Sequence, residues 1–144
     1  MEIKNKISLK KYNTFSIDAL AEYFVIVNNK SNLTDLFNAD VLKPYFIIGG
    51  GSNVLFKNDY KGTVIKVNIK GISFEKKGEY VYVRAGAGED WDNFVGYCCE
   101  NGFYGLENLS FIPGTVGASP VQNVGAFGVE AGDFISSVEV FDIK

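Results

Sequence analysis

Residues Ile47–Phe56 read IIGGGSNVLF: two β-branched residues, three consecutive glycines, then Ser52 and Asn53. Glycine has no Cβ to hold a ligand away from the backbone, and it tolerates positive φ. Successive N–H groups in such a turn converge into an anion-binding nest. Ser52 adds a hydroxyl donor and Asn53 an amide donor, with no carboxylate beside them to repel a phosphate. The competing reading is a tight turn between strands. The spacing is not that of a P-loop or of the dinucleotide fingerprint. Both require a glycine at the sixth position, where this chain has Val54.

A second stretch repeats the theme. PGTVGASP and QNVGAFG, within Pro113–Gly128, combine glycines and small residues with the donors Thr115, Ser119, Gln122 and Asn123. The chain has no histidine. That removes Ser-His and Cys-His nucleophile pairs and argues against a zinc site. Two glycine-rich loops without metal ligands suggest a flat, polyphosphorylated ligand held mainly by backbone. A dinucleotide fits better than a mononucleotide. An isoalloxazine ring needs backbone donors at its polar edge and small residues along its face. Chemistry carried by a cofactor also accounts for the missing acid–base constellation.

The bulk properties are those of a globular chain. Of 144 residues, 47% are hydrophobic and 22% charged, enough for one domain or one and a half with a real core. The net charge of −3 argues against a nucleic-acid partner. No apolar run reaches membrane-spanning length, and MEIKNKISLKKYN lacks the apolar core of a signal peptide. Cys98 and Cys99, adjacent in a helical run, read as reduced thiols with one or both in the core.

The elements that position these loops follow from periodicity. TFSI reads as a short edge piece and Glu22–Asn29 as a strand. A helix over Ser31–Phe37 is capped by Ser31 or Asn32, with Leu33, Leu36 and Phe37 on one face. Tyr45–Ile48 is a strand entering the glycines, which completes a β-α-β order. Gly62–Asn68 alternates like a half-buried strand. ISFEKKGEYVYVRAGAG is a hairpin around a Lys-Lys-Gly turn. Glu89–Asn101 is the clearest helix: Trp91, Phe94, Val95, Cys98 and Cys99 form one stripe, the acids Glu89, Asp90 and Asp92 sit at the positive end, and Gly102 is the stop. Gly105–Asp133 is a long loop with little periodicity, kept from disorder by its apolar residues. SSVEVFDIK alternates like a strand with no partner after it, as though the chain were cut at Lys144.

Together, YNTFSI, IIGGGSNVLF, GTVIKVNIKGI, VRAGAGEDWDNFV and GLENLSFIPGTVGASPVQNVGAFGVE resemble, in order, the UDP-N-acetylenolpyruvoylglucosamine reductase family, from Tyr12 to the end of the chain. The resemblance implies an α+β, FAD-binding fold of the PCMH (vanillyl-alcohol-oxidase-like) type. A small α/β subdomain would cover residues 1–66 and the N-terminal part of a larger α+β subdomain residues 67–144, without the family's C-terminal substrate-binding domain. It implies a cytoplasmic enzyme, monomeric in full-length form, that uses FAD, with NADPH as reductant, to reduce UDP-N-acetylglucosamine enolpyruvate to UDP-N-acetylmuramate for peptidoglycan.

By position, the resemblance assigns Gly49, Gly50, Gly51, Ser52, Asn53, Val54 and Leu55 to the FAD pyrophosphate. It assigns Asn108, Leu109, Ile112, Pro113, Gly114, Val116, Gly117, Ala118, Ser119, Gln122, Asn123, Gly125, Ala126 and Gly128 to the flavin. Phe127 stands where members often carry Tyr, a substrate-facing position. The family's catalytic arginine, serine and glutamate lie in motifs expected downstream of Lys144, so none is in this chain. Its one arginine, Arg84, matches none of them and reads as a strand-surface charge. Another FAD oxidoreductase of the same superfamily and a non-catalytic nucleotide-sugar-binding module are the alternatives.

Overall fold

Strand pairing begins at the N-terminus, with β1 (Ile3–Ser8) antiparallel to β2 (Leu20–Val27). The computed structural model describes residues 1–38 and 43–143. TFSI is not an edge strand: residues 14–17 are turn and irregular backbone, and β1 takes the sheet edge instead. The side chain of Asn13 organises that turn. Its Nδ2 donates to the carbonyls of Leu9 (2.7 Å) and Ile17 (3.0 Å), and its Oδ1 accepts from the Ile17 amide at 3.0 Å.

Helix α1 (Lys30–Asn38) follows β2. Its cap is neither Ser31 nor Asn32. The Asn29 Oδ1 accepts from the Asn32 amide at 2.9 Å, while the Asn32 side chain accepts from the Asn28 amide at 3.3 Å. Leu36 is buried and Leu33 and Phe37 pack beside it, as their spacing predicts. Strands β3 (Tyr45–Ile48) and β4 (Tyr60–Val67) complete a sheet of order β1-β2-β4-β3. Strand β4 is parallel to both neighbours, so the β2-α1-β3 crossover straddles it.

This central place explains why β4 does not alternate as expected. Gly62, Thr63, Val64 and Ile65 are all buried because both faces of the sheet are covered. One face packs Phe24, Val64 and Ile48 against Leu9 and Phe56; the other packs Val25, Val27 and Ile65 against Leu36. Each such side chain contributes about 1.5–3 kcal/mol when fully buried. These residues lie in a first unit, Met1–Ile69, which also takes in Phe141–Lys144; the Phe141 ring stacks on Phe37 at 5.7 Å.

The second unit is Lys70–Val140. Strands β5 (Ile72–Lys77) and β6 (Tyr80–Ala85) form the expected hairpin, but its two-residue turn is Gly78–Glu79; Lys76 and Lys77 are paired strand residues. Helix α2 (Trp91–Glu100) buries Trp91, Phe94, Val95 and Cys98. Its N-cap is Asp90, whose carboxylate accepts from the Asn93 amide at 3.0 Å. Gly102 ends it at φ +70, and the Phe103 amide closes on the Cys98 carbonyl at 2.8 Å. Both cysteines are free thiols, Cys98 buried and Cys99 half-buried.

The stretch Gly105–Asp133 is not structureless. It holds a 3₁₀ turn at Glu107–Leu109, a one-turn helix α3 (Ser119–Gln122), a two-residue hairpin of β7 (Gly125–Ala126) and β8 (Val129–Glu130), and a 3₁₀ turn at Ala131–Asp133. Leu109, Val124 and Ala131 anchor it in the α2 core. SSVEVFDIK is not a strand: residues 136–143 pair with nothing in a ladder, and Lys144 lies outside the described residues. Alternation alone does not make a strand; a ladder partner is also required.

Candidate functional site

The first glycine loop leaves the C-terminal end of β3, the end at which open parallel sheets bind ligands. Gly51 is buried at φ +72, and a Cβ there would lie 2.0 Å from the Tyr12 carbonyl oxygen. Its carbonyl accepts from the Thr14 amide at 3.2 Å. Gly51 is therefore required by close packing on the Tyr12–Asn13 backbone, which is the turn reading. The ligand reading rests on the donors. Among the described residues, the amides of Gly49, Gly50 and Gly51 donate to no protein acceptor. Ser52 and Asn53 are engaged within the protein. Val54 packs on the sheet core, and Leu55 is exposed.

One residue of this site escaped the sequence reading. Lys66, on β4, donates its Nζ to the Gly49 carbonyl at 2.7 Å. Its signal was a charge inside GTVIKVN, which in a strand taken as half-buried is unremarkable.

The second loop is held by backbone pairing in its own unit. The Val116 amide donates to the Glu89 carbonyl and the Gly117 amide to the Ala87 carbonyl, each at 2.9 Å; the Gly114 carbonyl accepts from the Trp91 amide at 3.1 Å. A Cβ on Gly117 would meet the Ala87 Cβ at 2.6 Å, so close approach again dictates glycine. Leu109 is fully buried, and its carbonyl accepts the Trp91 indole N–H at 2.7 Å. Ser119 is buried and donates its hydroxyl to the Val116 carbonyl at 2.9 Å. Asn123, left-handed at φ +44, accepts from the Gly132 amide at 2.9 Å and donates to Glu130. These residues brace the loop.

Others in it face outward. Asn108, Gly125 and Gly128 are exposed, while Ile112, Ala118 and Ala126 are half-buried; Pro113 and Gln122 are engaged within the protein. Phe127 and Gly128 form the β7–β8 turn with φ of +52 and +85, and the Phe127 side chain is 87% exposed. Phe111 also has positive φ, +60, and is 89% exposed, its amide held by the Asp92 carboxylate at 2.6 Å. Arg84 is a strand-surface charge, 3.8 Å from the Glu139 carboxylate.

Each loop, taken by itself, suits part of a dinucleotide. Among the described residues the first loop offers amides without a protein acceptor and no carboxylate, and the Lys66 ammonium of β4 reaches its Gly49 carbonyl. In the second, Thr115 Oγ1 is buried without a hydrogen-bond partner, the one such side-chain atom among the described residues. An unmet buried hydroxyl marks a place where a ligand or an ordered water completes the bonding. Two open clefts, one at Ile17–Ala19 with Phe56–Asp59 and one along α2, are not lined by Gly49–Asn53. No described helix is long and apolar enough to cross a membrane.

Residues 22–144 match the FAD binding domain family. The chain belongs to that family. Relatives outside this chain carry a fuller description. It is 45% identical, over its whole length, to 42% of a Shewanella sediminis protein named UDP-N-acetylenolpyruvoylglucosamine reductase. It is 46% identical, over 99% of its length, to 43% of a Bacteroides fragilis protein of the same name. Among solved structures, 90% of the chain superposes on 45% of the UDP-N-acetylenolpyruvylglucosamine reductase of Thermus caldophilus, with a TM-score of 0.69 and 26% identity. This FAD binding domain thus spans less than half the length of these relatives, and its mixed helix–strand architecture is the α+β fold expected from sequence.

Proposed function

We propose that the chain is the FAD-binding portion of a UDP-N-acetylenolpyruvoylglucosamine reductase. In this reading the enzyme takes reducing equivalents from NADPH and reduces UDP-N-acetylglucosamine enolpyruvate to UDP-N-acetylmuramate. The observation that carries it is the whole-chain identity of 45–46% with proteins of that name. FAD, when bound, supplies hydride transfer.

The chain's own residues bind and orient. Among the described residues the Gly49–Gly51 amides meet no protein acceptor, which leaves them available to the diphosphate. The exposed, small-residue parts of Asn108–Gly128 line the flavin, and the braced residues of that loop fix its backbone. Phe127, at its turn, meets the substrate through ring packing alone, without the hydroxyl a tyrosine would add. No proton donor is assigned among these 144 residues, whose part in this reading is to bind and orient the cofactor. In this reading the enzyme works in the cytoplasm and the full-length protein is a monomer.

The test is spectroscopic. Purified chain shows flavin absorption or takes up added FAD at micromolar concentration, and it does not oxidise NADPH with the enolpyruvyl substrate. Failure to bind FAD at high micromolar concentration, combined with binding of UDP-N-acetylglucosamine, would instead indicate a nucleotide-sugar module.

A further inference from the structure

The sheet register sets Lys66 in an unexpected row. On the face that packs Leu9 and Phe56, the partners Phe24, Val64 and Phe46 lie side by side across β2, β4 and β3. Two residues further along, the row is Ile26, Lys66 and Ile48. A β-branched residue at the middle position would bury more apolar area and pack better on the pleat. A lysine there lays its aliphatic stem between two isoleucines and carries the charge out at the strand's end.

That charge arrives at a defined point. The ammonium is part-buried and donates to the carbonyl of Gly49, the first residue of the glycine turn, at 2.7 Å. The next amides along the chain, those of Gly50 and Gly51, donate to no acceptor among the described residues. Main-chain amides carry only partial charge, whereas a diphosphate carries full negative charge. Lysine suits this task as a compact point charge.

We propose that Lys66 supplies the fixed positive charge of the diphosphate site, tethered by its bond to Gly49. This rests on the FAD reading above and adds a residue to it.

The test compares the unmodified chain with Lys66→Met and Lys66→Arg, titrating FAD and riboflavin by flavin fluorescence at low and high salt. Lys66→Met keeps the stem and removes the charge. It weakens FAD binding roughly 10- to 100-fold, the range for one charge-assisted hydrogen bond. It also flattens the salt dependence and leaves riboflavin, which has no phosphate, unaffected. Lys66→Arg retains most of the affinity. Unchanged FAD affinity and salt dependence in Lys66→Met overturns the proposal while leaving the FAD reading intact. An equal loss for FAD and riboflavin also overturns it, because Lys66 then only shapes the turn. An unmodified chain that binds no FAD removes both. Should Lys66→Met fail to fold, Lys66→Gln and the salt dependence of the unmodified chain decide: no salt effect on FAD binding refutes the charge.

Discussion

The indole N–H of Trp91 donates to the main-chain carbonyl of Leu109 at 2.7 Å, with both residues buried. This bond ties the first residue of α2 to the start of the second glycine-rich loop. A helix stripe residue thus has two tasks: its ring packs on Phe94, with centroids 5.9 Å apart, and its polar edge satisfies a carbonyl that has no other donor among the described residues.

Trp91→Phe keeps most of the ring and removes the donor. The Leu109 carbonyl is then buried without a partner, which costs about 1–3 kcal/mol. Urea unfolding followed by far-ultraviolet circular dichroism should show the midpoint fall by a corresponding amount with an unchanged slope. A loss below about 0.5 kcal/mol would mean the carbonyl finds another donor.

Gly51 and Gly128 both have positive φ, +72 and +85, but differ in surroundings. A Cβ on Gly128 meets nothing within 4 Å; one on Gly51 lies 2.0 Å from the Tyr12 oxygen. Gly128→Ala should therefore cost only the left-handed penalty, about 1–2 kcal/mol. Gly51→Ala adds a backbone clash that must move the Tyr12–Asn13 turn, so a total above about 3 kcal/mol is expected, comparable with much of a domain's stability. Thermal unfolding of the two variants side by side checks the order; equal losses would contradict it.

What was legible in the sequence was what a short window contains. The α2 stripe from Trp91 to Cys98, its Asp90 end and its Gly102 stop are local, and the structure keeps them. The glycine turns after Ile48 and Pro113 are local too. What failed depended on partners distant in sequence. IKNKIS shows almost no buried face, and only pairing with β2 makes it a strand. SSVEVFDIK shows the better pattern and forms no strand. The alternation expected in β4 vanished because β2 and β3 flank it and both faces are covered. Lys66 became visible only when the register placed it between Ile26 and Ile48. The second loop was legible as glycine-rich, but the use of its donors was not: the Val116 and Gly117 amides and the Ser119 hydroxyl are consumed inside the protein.

Phe127 holds a bulky ring at φ +52 on the first position of a two-residue hairpin turn, where asparagine and glycine are preferred. Its side chain is 87% exposed, so little packing offsets the strain. Such strain collects at functional positions. Phe127→Asn should raise stability by about 0.5–1 kcal/mol, the relief of part of the left-handed penalty. A rise in melting temperature checks this; a fall would reveal packing that the exposed ring does not show.

Cys98 and Cys99 are neighbours with different chemistry. Burial, and then the nearby Cys99, push the Cys98 thiol from 9.0 up to about 11. The thiolate is the reactive form, so Cys98 is held inert at neutral pH. Titration with a disulfide reagent at pH 8 should label one thiol per chain quickly, and Cys99→Ser should leave none that reacts quickly. The same shift links to stability. Between pH 9 and 11 the folded state keeps a proton that the unfolded state releases, so this group's contribution is full below 9 and is lost as pH rises through 11. The urea midpoint should therefore fall from pH 8.5 to 10.5, and by less in Cys98→Ala, whose lower starting stability is measured separately. Two thiols labelled at equal speed, with no difference in pH slope, would refute the assignment of Cys98 as the buried member.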